Sequence, residues 1–502
     1  MDSYDSNLSF GSFDFQSDDF VNSWPYEFSD NTTPVTSSTD PSTPASPAAI
    51  EQYGSTEFGS NHACKRRLPS SSPESGALAR PRKTRRLKSP KETAQVRVKG
   101  ACYGCKLNRK TCQDGDDPEG SCRSCLSLSL SNKMKVIPGL LRPLCWRPNI
   151  GSTEMFRRGP TIDFAASHRG NLADATTGKQ ASWKTFATRP SSKQSSKVVE
   201  LSQGWTSRAL AIQLDRYAPK PTDKQYYSWY DGDMEYHFDT PAYGISNLDA
   251  TSSAIQSFLT QNAEEYITKH LIGACETTRQ TFAIAQEYKQ YFPLVTRALK
   301  LWVGCRFIEE PWSIIGTETL DISLDDNPNC PYHDRIPVPP IVDLQIDVIT
   351  INDLLQPEMK KILKTVKEML ESRNPWKNWF EIYLAYFILL HNVELTMAHD
   401  AWFVKRNNLK TKYSNKNLVD TIMQGATTLL TCFHYAHQGY APFSDPKMEE
   451  SQSWNSRQKG YLADMRSLLA TTHGDYTKDP SRELFWTSQL HRPNWRPLVL
   501  SS

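Results

Sequence analysis

Residues 101–112 read ACYGCKLNRKTC, three cysteines with Lys106, Asn108, Arg109 and Lys110 between the second and the third. Sulfur at such density binds soft metal ions, and cations at such density meet a polyanion. The full array is Cys102-x2-Cys105-x6-Cys112-x9-Cys122-x2-Cys125-x19-Cys145, six of the chain's eleven cysteines. Two C-x2-C pairs place four thiolates for tetrahedral Zn2+, which takes sulfur at ~2.3 Å. The chain's start, MDSYDSNLSF, has neither the positive charge nor the apolar core of a secretory signal. In the reducing compartment this implies, metal is a better reading than a disulfide framework. Spacing alone leaves two arrangements open: one zinc with two cysteines to spare, or two zincs that share ligands. Two tetrahedral ions make eight bonds, and six thiolates supply them only if two bridge. Such a cluster carries a net charge of about −2. Lys106, Arg109, Lys110 and Arg123 would offset it while facing nucleic acid.

The pattern resembles the fungal binuclear-zinc, Zn2Cys6 transcription factors. The resemblance covers about 45 residues, and five of the six cysteines keep the family's spacing. It implies a small domain over 101–148, two short helices around two Zn2+ ions, with Cys102, Cys105, Cys112, Cys122, Cys125 and Cys145 as ligands. Cys102 and Cys122 would be the bridging pair. The residue four past the second cysteine, usually a Lys reading a CGG-like triplet, is Arg109 here, flanked by Asn108 and Lys110. Arg is a good bidentate reader of guanine, worth ~1–3 kcal/mol against the wrong base. Lys106 is expected on the phosphate backbone. The departure from the family is the final gap, nineteen residues here. Lengthening that loop from the usual ~7 residues costs roughly 0.9 kcal/mol. Structural zinc contributes on the order of 10 kcal/mol, so the long loop is tolerable.

Other constellations are weaker. His391, His399 and Asp400 share one long helical stretch, which leaves an acid–base or metal site in the helical region as a third reading. There is no H-E-x-x-H, no Gly-rich phosphate loop, no G-x-S-x-G elbow and no dinucleotide fingerprint. No enzyme is expected. Cys275, Cys305, Cys330 and Cys432 are scattered singly and read as core or loop residues.

The elements around the cysteines differ sharply in charge. No Lys or Arg precedes Lys65, while Asp and Glu occur ten times before it. Residues 1–64 interleave Phe10, Phe13, Phe15, Phe20, Trp24, Tyr26 and Phe28 with acids and read as a disordered acidic–aromatic activation arm. Residues 65–100 hold basic clusters at Lys65–Arg67 and Arg80–Lys88, the form of a bipartite nuclear import signal or a phosphate-binding arm. Residues 149–200 read as a linker. Residues 201–502 read as one mostly α regulatory domain with few period-two strands. Helices are expected near 250–271, 277–307, 416–437 and 453–472, with another opened by Pro357. Asn374-Pro375 offers an N-cap and a first-turn proline to WKNWFEIYLAYFILLHNVELTMAHDAWFVKRN, apolar almost all round and so central. That stretch, IPVPPIVDLQIDVI and FHYAHQGYAPFSD resemble the helical C-terminal regions of filamentous-fungal Zn2Cys6 proteins with a long last gap. The longest apolar run, IYLAYFILL, is far short of the ~20 residues of a membrane helix, so no membrane partner is expected.

The expected function is therefore a sequence-specific, zinc-dependent, nuclear regulator of RNA polymerase II transcription, an activator. Its partners would be double-stranded DNA with a CGG-like element and, through the acidic arm, the transcription machinery. The rival from a different class is a zinc-stabilised scaffold or corepressor that binds protein or nonspecific nucleic acid. Residues 149–200 show no sustained heptads, so a homodimer, if one forms, pairs through the helical domain.

Overall fold

The computed structural model describes residues 100–102, 105, 110–113, 115, 122–130, 150–157, 191–219, 225–231, 234–327, 330, 332–372, 374–406, 411–437, 443, 452–471, 482–492 and 495. Residues 1–99, Lys106, Asn108, Arg109, Cys145 and residues 158–190 lie outside that set. The first helix described over its whole length, α1 (Arg123–Leu130), follows Cys122 directly. Next comes a strap, residues 150–157, which opens with a 3-10 turn at Ile150–Ser152 and buries Ile150, Thr153, Met155 and Phe156.

Period-two structure then takes over. β1 (Ser191–Ser202) pairs antiparallel with β2 (Leu210–Tyr217), setting Val199 opposite Ile212 and Leu201 opposite Leu210. On β2, Leu210, Ile212 and Leu214 point inward while Ala211 and Gln213 face solvent, so the pleat defines the buried face. β3 (Tyr226–Asp231) and β4 (Met234–Asp239) make a separate hairpin. β5 (Tyr243–Ile245), β6 (Ser313–Ile315) and β7 (Ile336–Pro337) complete an antiparallel sheet of order β5-β2-β1-β6-β7. The described residues thus hold seven strands where few were expected, and β1 begins inside the stretch expected as linker. The physical reason is that β1 is mostly Ser, Lys and Glu, and β5, β6 and β7 are two or three residues long.

The remainder is helical. α2 (Leu248–His270) is capped by Asn247, whose side chain accepts the Ala250 N–H at 3.0 Å. The single helix expected over 277–307 is instead two, α3 (Glu276–Tyr288) and α4 (Pro293–Glu309). Pro293 forces Phe292 out of the helical region, to φ −117° and ψ 91°, and the chain turns there. α5 (Pro340–Ile349) continues through a π-helical turn, Thr350–Leu355, into α6 (Gln356–Leu370). Pro357 therefore lies inside a continuous helical run. The wider turn, with the Gln356 N–H reaching back to Ile351 O, accommodates its missing donor. Pro375 opens a 3-10 turn, Pro375–Asn378, and Asn374 makes no side-chain cap bond.

α7 (Trp379–Arg406) is the central helix expected from its all-round apolarity. It packs against α3, α4, α8 (Lys416–Ala436) and the final 3-10 turn Thr487–His491. α9 (Ser456–Thr471) lies on α3. Buried Glu394 of α7 accepts the N–H groups of Leu484 (3.2 Å), Trp486 (2.8 Å) and Thr487 (2.7 Å), which pins the C-terminal turn. Trp302, Trp379 and Trp486 are sealed from solvent. Each large apolar side chain buried this way contributes ~1.5–3 kcal/mol, so this domain carries its own core. Cys305, Cys330 and Cys432 belong to that core; the clustered cysteines near the start of the described chain do not. Among the described residues no helix is long and apolar enough to cross a membrane.

Candidate metal centre

Each Cys-x2-Cys pair folds as the head of a helical turn. The Cys105 N–H donates to Cys102 Sγ at 3.4 Å, and the Cys125 N–H donates to Cys122 Sγ at 3.3 Å. In both pairs the first sulfur takes the place of a capping oxygen, accepting the backbone donor three residues on. The second turn continues as α1, with the Leu126 N–H bonded to Cys122 O. Two bonds tie α1 to the preceding loop: the Arg123 N–H to Gln113 O at 3.0 Å, and Ser124 Oγ to Thr111 O at 2.5 Å. They bring in Cys112, whose Sγ accepts the Cys102 N–H at 3.5 Å.

The two heads meet sulfur to sulfur. Cys102 Sγ lies 3.5 Å from Cys125 Sγ and 3.9 Å from Cys122 Sγ; Cys105 Sγ lies 3.5 Å from Cys122 Sγ and 3.8 Å from Cys125 Sγ. A disulfide needs ~2.05 Å, so these are separate sulfurs. A tetrahedron of sulfurs ~2.3 Å from a central zinc has edges of about 3.8 Å, and the observed separations bracket that length. The ligand atoms of Cys102, Cys105, Cys112 and Cys122 all lie within 4.8 Å of one another, and this group can hold a metal ion. All five cysteines are buried.

The electrostatics fit the same conclusion. Burial, then the neighbouring sulfurs of Cys102 and Cys122, push the Cys105 thiol far above its ordinary value. Its contact with Cys102 does the same to Cys125, with burial second. Burial raises Cys112 as well. Thiols packed this closely cannot ionise together without a countercharge, and a divalent cation supplies it. A bound zinc would give this small module the core it lacks.

Of the residues singled out from the sequence, five cysteines come together and Lys110 lies exposed beside them. Cys145, Lys106, Asn108 and Arg109 lie outside the described residues. The sequence reading missed Ser124 and Thr111, which position Cys112; the only signal was a hydroxyl side chain between paired cysteines. In the helical domain His391 accepts the Trp302 indole N–H at 3.1 Å. Asp400 accepts Ser414 N–H and the Ser414 hydroxyl. Both have structural partners.

A family model described as the KpeA transcription factor matches residues 156–489, about two-thirds of the chain. The chain is 26% identical over 411 residues to the Satratoxin biosynthesis SC3 cluster transcription factor SAT20 of Stachybotrys chartarum. That alignment covers 77% of this chain and 52% of the relative, so the chain spans about half the relative's length. No solved structure matches. The class these findings define is a fungal transcription factor, not an enzyme. The chain belongs to the KpeA transcription factor family. The match begins at the end of the strap and covers the helical domain, leaving the cysteine module outside it.

Proposed function

We propose that the chain is a zinc-dependent, sequence-specific DNA-binding regulator of RNA polymerase II transcription, an activator working in the nucleus. The observation that carries this reading is the cluster of five buried sulfurs, four of them at zinc-tetrahedron spacing, followed in the same chain by the transcription-factor family domain. The cluster is of the Zn2Cys6 type. Cys102, Cys105, Cys112, Cys122, Cys125 and Cys145 hold two zinc ions, with Cys102 and Cys122 bridging. The capping geometry supports that assignment, since these two sulfurs head the two turns. Arg109 reads a CGG-like element, Asn108 and Lys110 flank it, and Lys106 meets phosphate. Residues 65–100 serve as import signal and phosphate-binding arm, and residues 1–64 recruit the transcription machinery. The relative's name places it with satratoxin biosynthesis, which makes a biosynthetic gene cluster the target class we assign.

The test is a titration of the zinc-loaded full chain on a CGG-containing and a scrambled duplex at two salt concentrations. Preference for the CGG duplex should persist while both affinities fall with salt. Arg109→Ala should weaken binding to the CGG duplex roughly 5- to 150-fold, ~1–3 kcal/mol, and leave the scrambled duplex nearly unchanged. Equal affinity for the two duplexes at both salts would overturn the reading in favour of a nonspecific or protein-binding module.

A further inference from the structure

Between the β2–β5 edge of the sheet and the β3–β4 hairpin, a cleft of about 380 Å³ opens to solvent. Arg216 of β2 and Tyr243 of β5, cross-strand neighbours, form one side. Asp239, the last residue of β4, and the turn 320–323 form the others. The apolar part of the lining is buried: Phe238, Tyr243, Leu320 and Ile322. Leu320 and Asp321 are two successive residues in the left-handed region, with φ 61° and 62°. That conformation is costly away from glycine, so the surroundings must hold it. They do so at two points. The Leu320 N–H donates to Glu318 Oε1 at 2.8 Å. Lys197 of β1 donates to the same Glu318 oxygen at 2.9 Å and to Asp321 at 3.2 Å. This wall is therefore set in place ahead of any ligand, which spares binding the cost of ordering it.

Two opposite charges in this cleft are left over. Arg216 and Asp239 are exposed, and among the described residues neither side chain has a hydrogen-bond or ion-pair partner. They line the same cleft without pairing with each other. The other titratable groups of the lining are engaged: Asp321 by Lys197, and His237 by the Tyr226 ring, edge-on at 4.6 Å between centroids. A plain anion would meet Arg216 but also the Asp239 carboxylate, and a plain cation would meet the reverse. A molecule that carries both charges close together satisfies both, its carboxylate on the Arg216 fork and its ammonium on Asp239. The buried rings and aliphatic groups beside them suit a hydrophobic side chain on the same molecule. We infer that the cleft is a binding site for a small zwitterion, an α-amino acid with an apolar side chain. It lies within the family domain, and no residue of the metal centre lines it.

The experiment uses the full, metal-loaded chain and needs no DNA, so its failure is distinct from failure of the DNA-binding reading. L-leucine and L-phenylalanine are titrated by calorimetry, each beside its amide, which lacks the carboxylate, and its deaminated acid, which lacks the ammonium. At least one of the two amino acids should bind saturably, and roughly fivefold or more tighter than both of its analogues. Arg216→Gln should lower that affinity by roughly fivefold or more and erase the preference over the amide. Asp239→Asn should erase the preference over the deaminated acid. Both side chains are exposed, so both variants should keep the wild-type urea midpoint, which separates a lost ligand contact from a lost fold. The inference is overturned if neither amino acid saturates, or if the analogues bind as well as their parent. It is equally overturned if both variants keep the wild-type preferences, which would place the binding elsewhere.

Discussion

Cys102 and Cys122 occupy equivalent places at the heads of two turns, so losing either should remove a sulfur from both halves of the cluster. Under the binuclear reading, Cys102→Ser or Cys122→Ser leaves the purified chain with almost no zinc, whereas Cys112→Ser, outside the bridge, leaves about one ion. Counting metal per chain by elemental analysis checks this; equal loss in all three variants rules out the bridging assignment. A second prediction concerns His391. Burial first, and the Arg306 charge second, push its pKa down to about 3. The folded state therefore refuses a proton that the unfolded chain accepts below about 6.5. Its contribution to stability is complete above that pH and shrinks as pH falls toward 3. His391→Gln keeps an acceptor for the Trp302 N–H but does not titrate. Its stability relative to wild type should rise by about 1.4 kcal/mol for each pH unit lost below 6.5, measured by urea unfolding at several pH values.

Elements were legible where periodicity alone decides them. α2, α8 and α9 fall close to their expected spans, and α7 is central because it is buried on every face from Trp379 to Leu395. The break at Pro293 was written in the sequence, since proline restricts the residue before it, but the apolar period continues across it. The sheet was harder to read. Among its described side chains β1 contributes Val199 and Leu201 to the buried face, and its role depends on pairing with β2 and β6. The strap carries no periodic signal because α7 and α8, more than two hundred residues away, decide its burial. At the metal centre the ligands could be read from spacing, whereas the bonds of Ser124 and Arg123 to the loop depend on how the turn closes. The element most dependent on one side chain is the C-terminal turn. Glu394→Ala leaves three buried N–H groups without an acceptor, each costing ~1–3 kcal/mol. The chain should unfold at markedly lower denaturant, and Glu394→Gln, which keeps one acceptor oxygen, should recover part of the loss.

On the scale of the whole molecule, two kinds of stabilisation stand side by side in one chain. The cysteine module is held by sulfur and, in the proposed reading, by zinc; the helical domain is held by a hydrophobic core to which those cysteines do not contribute. Removing metal should therefore unfold one without the other. With a strong chelator, helix content by circular dichroism should fall only slightly and the main thermal transition should stay in place, while DNA binding is lost. A chelator that abolished the main transition would mean that the helical domain depends on the metal for its stability.

The sealed positions of Trp302, Trp379 and Trp486 have an optical consequence. Residues 101–148 contain one tryptophan, Trp146, whereas ten follow residue 200, so blue-shifted indole fluorescence reports chiefly on the helical domain. Cobalt placed in the thiolate cluster would absorb at visible wavelengths where the protein is otherwise transparent. A single unlabelled sample thus carries two separate colours, one for each half of the molecule.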